Sequence, residues 1–226
     1  GFFIREDQSS RQETREIQEA SFDTQHIRSY MTSCIRSIAK EGIIRLGKNS
    51  GYISPSGSTR YADLGTPHLT SYSNEQLPLY AVGRTSYVPS LEMIEQKLQR
   101  YITVEMAPCL DLSSFEDQGL TIKTPSLLQD RIGYYEDDII DINVTINDRN
   151  LLLDIYCPIT VSKGDISRQI ETFSIRFDVA LGSLYKSAQL LVNNILDTSE
   201  QSYYIMHQCD LYDIDGNMNI YFTFND

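Results

Sequence analysis

The sequence contains no tryptophan, and no stretch reaches the roughly 18 consecutive apolar residues that a membrane-spanning helix needs. It also has no pair of cysteines at CxxC spacing, although it contains four cysteines: Cys34, Cys109, Cys157 and Cys209. The lack of a long apolar stretch argues against a membrane span within these 226 residues. The lack of a CxxC pair removes the local signature of zinc, haem and thioredoxin-like sites, so the sequence predicts no cofactor.

Positive charge is scarce as well. The chain carries 19 lysines and arginines against 31 aspartates and glutamates, which gives a net charge of −12. An acidic surface repels phosphate backbones, so nucleic acid is not an expected partner. The apolar content of 41% is sufficient for a hydrophobic core, and the length allows one large domain or two small ones.

Signatures of common enzymes are incomplete. Gly42-x4-Gly47-Lys48 matches most of a phosphate-binding loop, but Asn49 stands where that motif requires Ser or Thr. Gly42 also falls inside a predicted helix instead of following a strand. The GxSxG motif of α/β-hydrolase serine enzymes is absent from the sequence. We therefore predict that the protein is not an enzyme.

Residues 23–52 are the part of the chain around which the rest is predicted to fold. Apolar residues recur there at three- and four-residue steps, which is the spacing of one helix face. They are Ile27, Met31, Cys34, Ile35, Ile38, Gly42, Ile43 and Leu46. Asp23 or Thr24 can cap the start, and Gly47 can supply the left-handed residue that ends the helix.

The polar segment before this helix leaves two interpretations open. A rough three–four alternation continues back to about Ser10, so a single helix from Ser10 to Leu46 is one possibility, and a separate first helix is the other. The domain prediction places a membrane-proximal or assembly segment at 1–22 and one α+β ectodomain at 23–226.

The remaining periodicities predict an α+β fold with an antiparallel β-meander packed by two or three amphipathic helices. Ser90 caps a second helix that ends at Pro108, and another helix covers 180–196. Alternating strands are predicted at 119–124, 138–147, 151–162 and 169–179. Pro158 indicates an edge or a bulge in the third of these strands. Residues 48–88, rich in Tyr, Pro and Gly, read as a long loop.

The C-terminal segment reads as two strands joined around Asp215-Gly216, a favoured hairpin turn. Asp213, Asp215 and Asn217 also resemble the middle of a calcium-binding loop. The flanking ligand positions hold Leu211 and Phe222, which cannot ligate calcium, so the hairpin is favoured and calcium remains a weak alternative.

The cysteines allow two interpretations. They are either four buried free thiols of a cytosolic protein or two disulfides formed in an oxidising compartment. The disulfide interpretation is favoured, with the pairs Cys34–Cys109 and Cys157–Cys209. The first would join the two long helices, and the second would join a sheet strand to the C-terminal hairpin. Asn143-Val144-Thr145 is a glycosylation sequon that requires Asn143 to face solvent.

Three runs together resemble a group of uncharacterised, single-pass surface proteins of small-genome archaea. They are SYMTSCIRSIAKEGIIRLGKNSGYISP, SLEMIEQKLQRYI followed by CL, and INVTIND followed by LLLDIYCPITVSKG. The turn Asn49-Ser50-Gly51-Tyr52 departs from the double-glycine turn of that group. The resemblance implies an extracytoplasmic domain on a single-pass anchor, and it implies no activity.

The functional expectation is a non-enzymatic extracytoplasmic structural protein, either a cell-surface anchored domain or a surface-filament subunit. Gly1-Phe2-Phe3-Ile4-Arg5 looks like the end of a membrane anchor and its basic flank, or is a short hydrophobic tail or vector remnant. Expected partners are further copies or other surface proteins, with the membrane reached through an N-terminal anchor. The alternative is an adhesin that binds its ligand through the tyrosines of the long loop: Tyr52, Tyr61, Tyr72, Tyr80 and Tyr87.

Overall fold

The computed structural model describes residues 4–54, 69–72, 75–78, 80–82, 84–125, 140–198, 206–214 and 217–224. The predicted α+β class is confirmed: this part of the chain contains four α-helices and a four-stranded sheet. None of the described helices is both long enough and apolar enough to cross a membrane.

Helix α1 (Ile4–Lys48) is continuous over 45 residues, about 67 Å. The prediction of a cap at Asp23 or Thr24 is therefore wrong, and the single-helix interpretation is the correct one. The buried face from residue 27 onward repeats at steps of mostly four residues, as predicted, with Ala39 as an added member. The residues of α1 that are fully buried there are Ile27, Met31, Ile35, Ala39, Ile43 and Leu46.

Helix α1 ends at Lys48, one residue after Gly47, and Gly47 does not have a positive φ, so the predicted stop is wrong. The positive-φ residues are Ser50 (φ 53°) and Gly51 (φ 85°). The Gly51 N–H donates to the Leu46 carbonyl at 2.7 Å, and the Ser50 N–H donates to the Gly47 carbonyl at 3.4 Å. This is the paired pattern of a Schellman stop. Gly47 is instead a helical residue that is buried.

Helix α2 (Leu91–Glu105) packs closely against α1. The Ser90 hydroxyl accepts a hydrogen bond from the Met93 N–H at 3.1 Å, which confirms the predicted cap. A Cβ added to Gly42 would lie 2.6 Å from Leu98 Cδ1 and 2.7 Å from Tyr101 Cδ1. Gly42 therefore provides space at a helix–helix contact instead of belonging to a phosphate-binding loop.

Gly42→Ala is expected to lower the free energy of unfolding by about 1–2 kcal/mol. Overpacking against buried Leu98 and Tyr101 costs about 1–3 kcal/mol, and the better helix propensity of alanine returns up to about 1 kcal/mol. Urea unfolding measures the change. Ser37→Ala, at an exposed position of the same helix, is the control and should leave stability unchanged or slightly raised. A Gly42→Ala protein as stable as the control would contradict the close helix contact.

A short 3₁₀ helix (Ala107–Leu110) and the one-turn helix α3 (Ser113–Glu116) follow α2. The sheet then consists of β5 (Thr121–Lys123), β6 (Asp141–Ile146), β7 (Leu151–Lys163) and β8 (Ile166–Phe177). Its order is β5-β7-β6, and β8 also pairs with β7. The four predicted strands exist and form the predicted antiparallel sheet, in which β7 pairs with its sequence neighbours β6 and β8. Strand β5 also pairs with β7, from Thr121 opposite Ser162 to Lys123 opposite Thr160.

Strand β7 is the centre of this sheet. Its odd-numbered residues from Leu151 to Val161 are buried and lie in the core. Pro158 occupies an outward, half-buried position two residues before the segment that pairs with β5. Strand β7 has partners on both sides, so Pro158 does not mark an edge strand, and the alternative of a bulge at Pro158 stays a prediction.

Helix α4 (Leu181–Thr198) begins directly against the turn between β6 and β7. A Cβ on Gly182 would lie 2.5 Å from the Asn147 carbonyl oxygen. The Ser183 hydroxyl donates to the Asp148 carbonyl at 2.9 Å, and the Lys186 ammonium bonds the Asp148 carboxylate at 2.5 Å. The turn at 147–150, in which the Asn147 N–H donates to the Asn150 carbonyl at 2.8 Å, thus anchors the helix.

The segment 48–88, predicted as a long loop, contains four short strands that form two antiparallel pairs. They are β1 (Leu69–Tyr72), β2 (Glu75–Pro78), β3 (Ala81–Val82) and β4 (Thr85–Ser86). The C-terminal hairpin is confirmed as β9 (Met206–Ile214) and β10 (Asn217–Phe224), which form a sheet of their own.

The chain divides into two compact units that share its long elements. The first unit comprises Gly1–Arg36, Met106–Asp141 and Ile155–Phe173. The second comprises Ser37–Glu105, Ile142–Asp154 and Ser174–Asp226. Helix α1 and strands β7 and β8 run through both units. The division into 1–22 and 23–226 stays a prediction.

Candidate functional site

One of the two predicted disulfides is present. Cys34, on α1, is bonded to Cys109, in the 3₁₀ helix, with 5.7 Å between their Cα atoms and 75 residues between them in sequence. The half-exposed Tyr30 lies one turn earlier on α1. Its hydroxyl donates to the Pro108 carbonyl at 3.5 Å, and its ring meets the Phe115 ring edge-on at 5.7 Å. The disulfide and these contacts fasten α1 to the segment after α2.

The second predicted disulfide, Cys157–Cys209, is not formed. Cys157 is a free thiol, fully buried on the inward face of β7 between Ile155 and Ile159. Burial raises the pKa of this thiol to about 12, so it stays protonated and unreactive near neutral pH. Cys209 lies in β9 opposite Phe222, in a different sheet, and its side chain is outside the described part of the structure.

Two of the five tyrosines predicted as a binding surface lie in the interior. Tyr52 and Tyr80 are both buried, which contradicts their place on an exposed surface. Tyr87 is half-buried, and its N–H donates to the Tyr80 carbonyl at 2.8 Å. Tyr72 lies in β1 with its side chain outside the described part, and Tyr61 lies outside the described residues. The structure therefore uses two of the five tyrosines as core.

A cavity of about 40 Å³ lies in the second unit, at the C-terminal end of α1. The Tyr80 hydroxyl in its wall donates to the Ser50 carbonyl at 2.6 Å, so that polar pair is already satisfied. The space suits a few waters or a small apolar group. The residues that line it are Leu46, Gly47, Ser50, Gly51, Tyr80, Val88, Ile94, Leu181, Leu184, Tyr185 and Ala188.

Lys97, on α2 in the same unit, is the unusual titratable group. Its side chain is only 5% exposed, and its ammonium has no hydrogen-bond partner among the residues that the structure describes. The Nζ atom lies 3.4 Å from the centre of the Tyr52 ring, in a cation–π contact. Burial lowers the pKa of Lys97 from 10.5 to about 8, and burial also raises the pKa of Tyr52.

The chemistry open to Lys97 is limited by its enclosure. A lysine with a lowered pKa can act as a base or a nucleophile when a substrate reaches its nitrogen. Here the Tyr52 ring covers the nitrogen, and the neighbouring buried residues of α2 are Ile94, Leu98 and Tyr101. The Lys97 ammonium is therefore an enclosed charge that contacts the face of the Tyr52 ring.

The other candidate residues are dispersed. Asn143 is exposed on β6, so the condition for its sequon is met. Asp213 lies in β9 opposite Met218, Asn217 lies in β10 opposite Ile214, and Asp215 lies outside the described residues. Within the described part of the chain, no three His, Cys, Asp or Glu residues lie close enough together to hold a metal ion.

Sequence reasoning missed Lys97 altogether. The signal that could have found it is its position three residues after Ile94 and four before Tyr101, on the predicted apolar face of α2. A lysine at such a position usually extends its amine to solvent. Only the tertiary arrangement, in which Tyr52 closes over it, shows that this lysine does not.

Comparison with known proteins finds no match: no protein-family model, no curated protein and no solved structure is detectably similar to this chain.

Proposed function

We propose that the protein is a non-enzymatic, extracytoplasmic structural protein, either a cell-surface anchored domain or a subunit of a surface filament. The observation that carries the proposal is the Cys34–Cys109 disulfide. Disulfides form and persist in oxidising surroundings and are rare in the cytosol of most organisms. The bond joins α1 to the segment after α2, and in the proposal it belongs to the permanent framework of the fold.

The packing of the functional-group candidates supports a structural role. Lys97 is enclosed beneath Tyr52, Cys157 is buried and protonated, and the Tyr80 hydroxyl is taken up by Ser50. Each of these groups serves the interior of the chain. The cavity wall is mostly apolar, and the Tyr80 hydroxyl within it is already bonded to the Ser50 carbonyl, whereas an active site provides polar groups that converge on a reacting atom.

Helix α1 is the proposed assembly element. Its residues with described burial enter the core from Ile27 onward, whereas residues 5–22 are polar in sequence. A polar helix of that length is marginal in water unless something packs against it. A neighbouring copy or another surface protein is the partner that we propose for this part of α1.

Deletion of residues 1–22 is expected to abolish self-association and to change the free energy of unfolding by less than about 1 kcal/mol. The reason is that the deleted segment is mostly polar in sequence and has no continuous apolar stripe. Light scattering and electron microscopy of the full and shortened chains measure assembly, and thermal unfolding measures stability.

Two results would overturn parts of this proposal. If the shortened chain unfolds, residues 1–22 belong to the core and α1 is not an assembly element. If the full chain isolated from its own cells is cytosolic and carries four thiols that react with an alkylating reagent, the extracytoplasmic assignment is wrong.

A further inference from the structure

The outer face of β6 carries a glycosylation sequon that has no part in the proposed structural role. Asn143-Val144-Thr145 is the one Asn-x-Ser/Thr sequence in the 226 residues. Strand alternation turns Val144 into the core, where it is 5% exposed, and turns Asn143 outward. Thr145 shares the outward face and is half-buried. The acceptor amide therefore stands on the solvent side of the strand.

The carboxamide of Asn143 differs from those of two other asparagines, which make hydrogen bonds that stabilise turns. Asn49 donates from Nδ2 to the Ile53 carbonyl at 3.2 Å, and Asn147 donates from Nδ2 to Asn150 Oδ1 at 3.0 Å. These side chains hold turns. In the described part of the chain, no hydrogen bond engages the side chain of Asn143. A group attached to its Nδ2 would break no contact of the fold.

From these observations we infer that Asn143 is the acceptor of an N-linked glycan. The inference rests on the proposed extracytoplasmic location, because glycan transfer to such sequons takes place outside the cytosol. The donor class is an oligosaccharide linked to a polyprenyl phosphate or pyrophosphate. In the transfer, the Asn143 Nδ2 forms a bond to the anomeric carbon, the anomeric C–O bond breaks, and the lipid phosphate leaves with the proton that the amide loses.

The position of Asn143 has a consequence for assembly. Among the described strands β6 pairs with β7 only, and near its end the Ile146 N–H donates to the Glu95 carboxylate at 2.7 Å. A hydrated glycan on Asn143 covers a sheet edge and blocks edge-to-edge pairing, as charges and bulges do in other proteins. Contacts between copies then have to use a surface other than the outer face of β6.

The test uses the full chain isolated from its own cells. Intact mass after removal of non-covalent material, followed by tryptic mapping of the peptide 132–149, shows whether that peptide carries a saccharide mass. A saccharide on Asn143 supports the inference. An exported protein with the Cys34–Cys109 bond and an unmodified peptide overturns the inference and leaves the proposed function standing. A cytosolic protein with four reactive thiols overturns both.

A panel of variants, each produced with an export signal in cells that perform N-glycosylation, fixes the attachment residue. Asn143→Gln and Thr145→Val should each lose the saccharide mass completely, whereas Thr145→Ser, which keeps the sequon, should retain it. Asn147→Gln, in the same peptide, is the matched control and should also retain it. Modification that persists in Asn143→Gln, or that is absent from the unaltered chain, contradicts the assignment.

Discussion

Replacement of Cys34 and Cys109 together by alanine is expected to lower the free energy of unfolding by about 4 kcal/mol. The bond joins residues 75 positions apart, and a cross-link that closes a loop of this size removes much conformational entropy from the unfolded chain. The bonded segment also holds Tyr30 against Pro108 and Phe115. Among single features of the fold, this bond is the one whose loss should cost most.

Urea unfolding with and without a reducing reagent measures this effect. The unaltered chain should lose about the same stability on reduction as it loses in the double variant. The double variant itself should not respond to the reagent and serves as the control. Cys157 is protonated and buried, so it should stay unreactive toward alkylating reagents until the chain unfolds. If the reducing reagent leaves the free energy of unfolding of the unaltered chain unchanged, the disulfide does not contribute to stability.

Replacement of Lys97 by methionine is expected to raise the free energy of unfolding near neutral pH by about 1–3 kcal/mol. A buried ammonium without a hydrogen-bond partner costs desolvation energy, and methionine fills a similar volume without that cost. The cation–π contact with Tyr52 offsets about 2 kcal/mol or less of the penalty. The variant should therefore be more stable, because the cost of burying the charge exceeds what the aromatic contact returns.

The lowered pKa of Lys97 should make the free energy of unfolding depend on pH. Because the pKa of Lys97 falls from 10.5 in the unfolded chain to about 8 in the folded chain, the unfolded state binds more protons between these values. Stability should rise with pH across that window by about 2 kcal/mol up to pH ~10, and the contribution should be flat below pH 8. The raised pKa of Tyr52 acts in the opposite sense above pH ~10.

The decisive measurement is the difference in stability between the unaltered chain and Lys97→Met at several pH values. That difference should shrink as the pH rises from 8 to about 10, because the unaltered chain loses its buried charge. Lys186→Met, which removes a surface lysine paired with Asp148, is the matched control and should show no such trend. A constant difference would mean that Lys97 has the same pKa in the folded and the unfolded chain.

Local sequence patterns alone determined much of the secondary structure. The three–four repeat of α1 and α2, the Ser90 cap and the turn at 147–150 each depend on residues within a few positions of one another. Helix faces, caps and tight turns are local, so their chemistry is visible in the sequence. The same locality explains why the C-terminal hairpin could be predicted.

The tertiary structure decided which of these elements meet. Strand β5 pairs with β7 instead of its neighbour in sequence, and Cys157 faces the core while Cys34 finds Cys109. Such pairings depend on contacts between residues far apart in the chain, which no local pattern encodes. Even the end of α1 follows this rule in part, because Ser50 takes the left-handed position while Gly47 is used for packing.

The candidate residues also divide into one that local sequence reveals and one that only the packed structure reveals. Asn143 could be found from three consecutive residues, and strand alternation then placed it on the outer face. Lys97 could not, because its lowered pKa comes from burial under Tyr52, a residue 45 positions earlier in the chain. Burial of a charge is a property of the packed interior, and the sequence by itself specifies only which face of the helix the lysine occupies.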